Sequence, residues 1–101
     1  MNLGKKTKIV CTIGPATESQ EKLEALQKAG MNVARLNFSH GDFAEHQNRV
    51  DNIRKVMEKT GSIIAIIQDL GGPKIRIGTF RDKVVNLVRG KTFILTTDEI
   101  E

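Results

Sequence analysis

The sequence predicts an α/β fold built on a parallel sheet, followed by a second unit of short antiparallel strands. Between residues 8 and 69, apolar runs typical of buried strands alternate with amphipathic segments at helical spacing. After Pro73 the pattern changes to alternating polar and apolar residues, which favours antiparallel strands. The order strand, helix, strand, helix, strand therefore indicates parallel strands joined by crossover helices.

The first strand is predicted over residues 8–13 (KIVCTI), a nearly continuous β-branched run that suggests burial on both faces. Thr17 or Ser19 can cap the following helix, because a hydroxyl accepts from the unpaired N–H groups of a first turn. Gly30 stands where that helix should end. The residues expected on or near its apolar face are Leu23, Ala25, Leu26 and Ala29.

The second strand is predicted over residues 31–38 and is followed by a second helix. Asp42 and Glu45 are spaced as a capping box at the start of this helix, and Gly61 ends it. The stripe expected to face the core comprises Phe43, Val50, Ile53 and Met57.

The third strand, residues 62–69, is the most apolar, and the antiparallel strands follow at 74–80 and within 83–97. The predicted boundaries are 1–71 for the parallel unit and 72–101 for the β-rich unit. Three strands with two apolar faces need further strands around them. We therefore expect the chain to be the N-terminal part of a larger protein.

The composition favours anionic partners, since 16 Lys and Arg outnumber 12 Asp and Glu. A merely solvated basic surface explains the same excess. The single cysteine, Cys11, excludes an internal disulfide framework and is expected to be a buried thiol. Neither a secretory signal nor an apolar stretch long enough for a membrane helix is present, so a cytoplasmic protein without a membrane partner is expected.

Polar side chains cluster where the predicted strands end, which is where parallel α/β folds bind ligands. Arg35, Asn37 and Ser39 are spaced by two and should present a guanidinium, an amide and a hydroxyl to one place. An arginine fork suits a phosphate or carboxylate, although an interstrand salt bridge is the alternative for Arg35. Turn formation and helix capping are the alternative for Asn37 and Ser39. His40 and His46 are expected in a turn and on the helix surface.

Three stretches closely resemble the N-terminal region of the pyruvate kinase family. They are TKIVCTIGPAT (7–17), AGMNVARLNFSHGDFAEH (29–46) and DLGGPKIRIG (69–78). The resemblance implies the first three β/α units of a (β/α)8 TIM barrel, interrupted after the third strand by a small all-β lid domain. It also implies transfer of a phosphoryl group from phosphoenolpyruvate to ADP, giving pyruvate and ATP in glycolysis. The chain alone is expected to be inactive.

The resemblance assigns roles to individual residues. Arg35 would hold the transferring phosphoryl group. Asn37, Ser39, Asp69 and Leu70 match the ligands of a potassium ion. Asn37, Phe38, Ser39 and His40, together with Arg76, match positions that contact the nucleotide. Magnesium is the second implied ion, and its ligands would lie beyond residue 101. A homotetramer is implied for the whole protein.

The third stretch departs from the family's commonest form, Asp-Thr-Lys-Gly-Pro-Glu-Ile-Arg. Leu70 replaces the threonine, Gly71 the lysine and Lys74 the glutamate. The charge reversal leaves two interpretations open. Either a potassium ion occupies the cation site, or the Lys74 ammonium takes its place, which would make Lys74 catalytic.

Two other functions are compatible with parts of the sequence. Another barrel enzyme acting on phosphoenolpyruvate or pyruvate would share the arginine but not the third stretch. A non-enzymatic anion-binding or nucleic-acid-binding module would need stacking aromatics or a dense basic patch. The scattered lysines and four phenylalanines argue against nucleic acid as a partner.

Overall fold

A computed structural model describes residues 4–99 of the chain. It contains three strands and two helices in the predicted order: β1 (Ile9–Thr12), α1 (Gln20–Ala29), β2 (Met31–Asn37), α2 (Phe43–Thr60) and β3 (Ala65–Asp69). The strands form one parallel sheet in the order β1-β2-β3. The predicted α/β class with parallel strands is therefore confirmed.

The helix ends follow the sequence signals. The Ser19 hydroxyl accepts from the Lys22 N–H at 3.3 Å and caps α1. At the start of α2, the Glu45 N–H donates to Asp42 at 2.8 Å and the Asp42 N–H donates to Glu45 at 3.1 Å, so the capping box is confirmed. Thr17 instead forms a turn, because its hydroxyl accepts from the Gly14 N–H. Both helices end at the predicted glycines.

The core lies between the sheet and the two helices. Ala34 and Leu36 of β2 point into it, with 0% and 1% of their surface exposed. Ala25 and Ala29, expected near the apolar face of α1, are exposed. The buried apolar side chains are Ile13, Leu23, Met31, Ala34, Leu36, Ile53, Val56 and Ile64.

The buried stripe of α2 differs from the predicted one. Phe43 is 83% exposed, whereas Ile53 is fully buried. The side chains of α2 that are buried are His46, Arg49, Ile53 and Val56. Two of these are polar, and they occupy the end of the helix that faces the loops. The stripe prediction was wrong at this end because it counted apolar residues only.

The second face of the sheet is open, so burial of the strands on both faces is not observed. Val10 and Ile67 on this face are 51% and 42% exposed. Cys11, expected to be buried, is half-buried and packs against the core on the other face, beside Ala34 in register. Both helices pack against the opposite face, because consecutive crossovers of one hand place them on the same side of the sheet.

Residues 70–99 form neither helix nor strand. The strands predicted at 74–80 and within 83–97 are therefore absent from the described part of the chain. Their apolar side chains are largely exposed; Ile75, for example, is fully so. A two-stranded hairpin with no other layer to pack against is only marginally stable in water, so alternation alone does not stabilise these strands. No helix within residues 4–99 has the length and apolarity required to cross a membrane.

Candidate functional site

The predicted polar residues meet at the C-terminal edge of the sheet. Thr12 lies beside Arg35 in the β1–β2 register, and Asn37 lies beside Asp69 in the β2–β3 register. Neighbours in register point to the same side of a parallel sheet. These side chains therefore lie on the open face, opposite Leu36 and the helices.

Arg35 is held by the hydrogen bonds that it donates to both neighbouring strands. Its Nε and Nη2 donate to Oδ2 of Asp69 at 2.8 and 2.5 Å, and its Nη1 donates to the Thr12 hydroxyl at 3.0 Å. The alternative interpretation of Arg35, an interstrand salt bridge, is thus observed. The Arg35 and Asp69 side chains keep 32% and 43% of their surface exposed.

The salt bridge does not use all of the guanidinium. A guanidinium carries five N–H groups. Within residues 4–99, Arg35 donates three of them, which leaves one hydrogen on Nη1 and one on Nη2. These two hydrogens can donate to the oxygens of a phosphate or carboxylate. Ion pairing and anion binding are therefore compatible at Arg35.

The turn after β2 brings Asn37 and Ser39 to the same edge. The Asn37 side-chain oxygen accepts from the Ser39 N–H at 3.1 Å, so the predicted turn role of Asn37 is observed. The Phe38 N–H donates to the Asp69 carbonyl at 2.9 Å, which ties the turn to the end of β3. A Cβ added at Gly71 would lie 3.4 Å from the Ser39 hydroxyl oxygen, an ordinary contact distance, so Gly71 lies beside Ser39.

His46 is buried behind the turn, and the prediction that it lies on the helix surface was wrong. Only 3% of it is exposed. Its ring stacks on Phe38, with centroids 4.0 Å apart and planes 11° apart. Its Nε2 lies 2.7 Å from the His40 carbonyl oxygen. Since a carbonyl only accepts, Nε2 carries the hydrogen and donates it. The Phe38 side chain thus packs inward, and His40 is exposed, as expected in a turn.

Sequence reasoning missed a second buried polar group, Arg49. It is 6% exposed and its Nε donates to Glu18 at 2.8 Å. The Asn52 amide donates to the Glu18 carbonyl at 2.8 Å. These bonds fasten the loop between β1 and α1 to α2. The spacing of His46, Arg49 and Ile53 by three and four residues was the available signal, because it places the two polar residues on the buried stripe.

Leu70, Lys74 and Arg76 follow β3 and are exposed. Gly72 has a φ of 65°, and the Lys74 N–H donates to its carbonyl at 3.1 Å, which makes a tight turn. In the described part of the chain, Asp69 pairs with Arg35, and Lys74 makes no ion pair with it. The structure therefore brings Arg35, Asn37, Ser39 and Asp69 together, but not Lys74.

The oxygen atoms at this edge suit a hard cation. Asn37 supplies an amide oxygen, Ser39 a hydroxyl and Asp69 a carboxylate, and hard cations take oxygen ligands of these kinds. Residues 4–99 contain no group of three or more His, Cys, Asp and Glu side chains that could share a metal ion. In the described residues, the Asn37 oxygen accepts from the Ser39 N–H, and Asp69 Oδ2 accepts from Arg35.

Comparison with known proteins gives a consistent result. Residues 4–101 match the sequence family described as pyruvate kinase, barrel domain. Pyruvate kinases of Staphylococcus saprophyticus and Staphylococcus haemolyticus are 56% and 55% identical to the chain over 97 residues. The matches cover 96% of this chain but only 17% of the length of each of these relatives.

Solved structures show the same likeness. A crystal structure of Cryptosporidium parvum pyruvate kinase superimposes with a TM-score of 0.72 and 44% identity, covering 78% of this chain and 16% of that one. The same organism's pyruvate kinase in complex with ADP superimposes with a TM-score of 0.58 and 47% identity, covering 60% of this chain and 12% of that one.

Proposed function

Because the chain belongs to the pyruvate kinase family, we propose that it forms the start of a complete enzyme that transfers a phosphoryl group from phosphoenolpyruvate to ADP. The observation that carries this proposal is the position of Arg35, at the C-terminal edge of the sheet within the matched region, with two N–H groups not used by Asp69 or Thr12. The edge is where barrel enzymes bind their substrates.

Arg35 would bind the phosphoryl group of phosphoenolpyruvate. Phosphoryl transfer spreads negative charge over three equatorial oxygens, and catalysis depends mainly on positioning and electrostatic stabilisation. The fixed charge of Arg35, already oriented by Asp69 and Thr12, would stabilise those oxygens without rearrangement at the moment of transfer.

The reaction breaks the bond between phosphorus and the enol oxygen and forms a bond between phosphorus and a β-phosphate oxygen of ADP. The enolate that remains takes one proton on its methylene carbon, giving pyruvate. Magnesium, when bound through ligands outside this chain, would neutralise phosphate charge. The described residues contribute the cation of Arg35 and the polar turn beside it.

The segment Asn37–His40 and Arg76 would contact the nucleotide. The ADP complex of the Cryptosporidium relative supports a nucleotide site in this family. The turn contributes side chains of Asn37, Ser39 and the exposed His40, and Arg76 would offer a second guanidinium for phosphate oxygens. The Phe38 side chain would not contact the nucleotide, because its ring packs on His46.

A positive charge would complete the site near Asp69. Asn37, Ser39, Asp69 and the Leu70 carbonyl could hold potassium, whose charge would assist phosphoryl binding. The Lys74 ammonium carries the same charge on the same chain and is the alternative that we favour, since it replaces the family's common glutamate.

Residues 1–71 would then begin a TIM barrel, with the open face of the sheet lining its interior. Residues 72–101 would begin the β-rich lid domain, whose strands form once their partners are present. We also propose a cytoplasmic homotetramer for the complete enzyme, as for the family.

A coupled assay on the complete enzyme tests the proposal. With magnesium present, ATP should form only when both phosphoenolpyruvate and ADP are supplied. A DNA-binding titration at several salt concentrations serves as the control, and no binding is expected. Turnover of phosphoenolpyruvate without ADP would instead identify another barrel enzyme, and absence of any ATP formation would refute the assignment.

A further inference from the structure

His46 is a buried polar residue that the proposed reaction does not use. It lies on α2, behind the turn that follows β2, and it touches that turn twice: its ring stacks on Phe38 and its Nε2 donates to the His40 carbonyl at 2.7 Å. An aromatic or aliphatic residue would fill the same space without the hydrogen bond. The donor therefore has a specific consequence for the position of His40.

The hydrogen bond to His40 fixes the backbone of the turn from the side opposite the site. The turn is held on its other side by the Asn37 side-chain oxygen and by the Phe38 N–H bond to β3. Gly41, with a φ of 78°, follows directly and would place an added Cβ 3.3 Å from His46 Nε2. The glycine at this position thus lets the turn lie close to His46.

Arg49 supports the tautomer of His46. Its Nη1 lies 3.5 Å from His46 Nδ1, and it is itself anchored through Glu18. A guanidinium only donates, so Nδ1 must be the acceptor. The hydrogen then remains on Nε2, where the His40 carbonyl receives it. Glu18, Arg49 and His46 form one chain of contacts from the first loop to the second.

We propose that His46 is a positioning residue that holds the Asn37–His40 turn in place for the nucleotide, with Arg49 and Glu18 fixing its tautomer. The proposal rests on the proposed function, which assigns the nucleotide to this turn. Arg35 is held independently by Asp69 and Thr12, so His46 should affect ADP and leave phosphoenolpyruvate almost unaffected.

Two substitutions separate the hydrogen bond from the packing. His46→Phe keeps a ring against Phe38 but removes the donor. His46→Gln keeps an N–H donor at the same number of bonds from the backbone. Asn48→Gln, on an exposed position of the same helix, is the matched control. In the complete enzyme, His46→Phe should raise the KM for ADP about tenfold, the factor expected for one lost hydrogen bond. The KM for phosphoenolpyruvate should change less than twofold.

His46→Gln should restore the KM for ADP to near the wild-type value, and Asn48→Gln should leave all constants unchanged. The proposal would be overturned if the two His46 variants had equal KM values for ADP. It would also be overturned if His46→Phe raised the KM for phosphoenolpyruvate as much as the KM for ADP. If His46→Phe does not fold, Arg49→Lys replaces it, because lysine keeps the charge opposite Glu18 but lacks a second nitrogen for His46. An unchanged KM for ADP in that variant would also overturn the proposal.

Amide hydrogen exchange gives a readout that does not depend on activity. The His40 N–H, which donates to the Asn37 carbonyl at 3.3 Å, should exchange faster in His46→Phe and at the wild-type rate in His46→Gln. If the wild type is active but the His40 N–H exchanges at the same rate in His46→Phe as in wild type, only the positioning role is refuted. If the wild type is inactive but the His40 N–H exchanges faster in His46→Phe, the proposed function is refuted and the role of His46 in the turn is supported.

Discussion

Arg35 reaches across to β3 and donates two hydrogen bonds to one oxygen of Asp69, through Nε at 2.8 Å and Nη2 at 2.5 Å. A third bond runs from Nη1 to the hydroxyl of Thr12 on β1, the neighbouring strand on the other side. The guanidinium is thus fixed from both sides of β2 before any anion binds. Donors that are oriented in advance stabilise developing charge most effectively, because nothing has to rearrange during the reaction.

Arg35→Lys in the complete enzyme should therefore not be conservative. Lysine keeps the charge but has three N–H groups instead of five and no planar fork, so it cannot make the two bonds to Asp69, the bond to Thr12 and a bond to a phosphoryl oxygen together. We expect kcat to fall by about 100-fold, the scale of losing one oriented donor, with a smaller change in the KM for phosphoenolpyruvate. Steady-state kinetics measure both constants, and Arg81→Lys, at an exposed position, is the control. A kcat within a few-fold of wild type would place Arg35 away from the phosphoryl group.

Much of the fold follows from local signals in the sequence. Ser19, Asp42 and Glu45 cap the helices as their spacing predicts, because side-chain oxygens satisfy N–H groups that every helix start leaves unpaired. The pattern of apolar runs likewise predicts the three parallel strands. Arg35 and Asp69 could be placed at one edge because the carboxyl ends of parallel strands meet there.

What the sequence did not predict depends on contacts between distant segments. His46 and Arg49 are polar, and only their partners in other loops, His40 and Glu18, make burial favourable. For Lys74 the sequence suggests a contact that is not observed. Its short separation from Asp69 in sequence permits an ion pair, but the described structure does not contain one. Charge alone cannot predict such a pairing, because exposed pairs contribute little free energy.

Gly41→Ala should destabilise the protein more than Gly61→Ala. Both glycines have positive φ values, 78° and 70°, which an alanine adopts only at a cost of about 1 kcal/mol. At Gly61 an added Cβ meets nothing within 4 Å, whereas at Gly41 it lies 2.6 Å from Glu45 Oε2. The alanine would therefore push the Glu45 side chain out of the capping box. Thermal denaturation of the two variants should show the larger decrease for Gly41→Ala, and equal decreases would contradict the structure.

Glu24 makes a small, pH-dependent contribution to stability. Hydrogen bonds from Lys59 and then Lys28 lower the pKa of Glu24 below its ordinary value of 4.5. Because the folded pKa is the lower one, the stabilisation is present above 4.5 and is lost as the pH falls through the folded pKa. Both lysines are largely exposed, so the effect is weak and screened by salt.

Glu24→Gln should thus lower the melting temperature slightly at neutral pH and low salt. The difference from wild type should shrink as the pH falls below 4.5, and also as salt is added. Glu58→Gln, on the exposed face of α2, is the control. A difference that grows on acidification would show that Glu24 acts through something other than its two lysines.

The open face of the sheet should make a polypeptide of residues 1–101 bind hydrophobic dyes. Val10 and Ile67 are about half exposed on this face. Val10, Val33 and Ala65 lie side by side in register, and Ile67 follows Ala65 by two residues on the same face. Apolar patches of this kind are covered by other elements in stable proteins. We expect dye binding and self-association, both reduced by Ile67→Thr. A monomer that melts cooperatively and binds no dye would show that the face is covered in some other way.

Lys74→Glu should create a requirement for potassium in the complete enzyme. In the family's commonest form of the third stretch, this position is a glutamate. Here Lys74 instead supplies a unit positive charge that is covalently part of the chain. The turn at Gly72 lies between Lys74 and Asp69, and closing of the lid segment over the strand end would bring the ammonium to the oxygens of Asn37, Ser39 and Asp69. The wild-type enzyme should then need magnesium but not potassium.

Activity is measured at fixed ionic strength, with potassium replaced by a bulky tetraalkylammonium ion that cannot enter the site. Lys74→Arg, which keeps the charge, should remain potassium-independent. If the wild type loses its activity in tetraalkylammonium and potassium restores it, then potassium occupies the oxygens beside Asp69, and Lys74 remains in solvent.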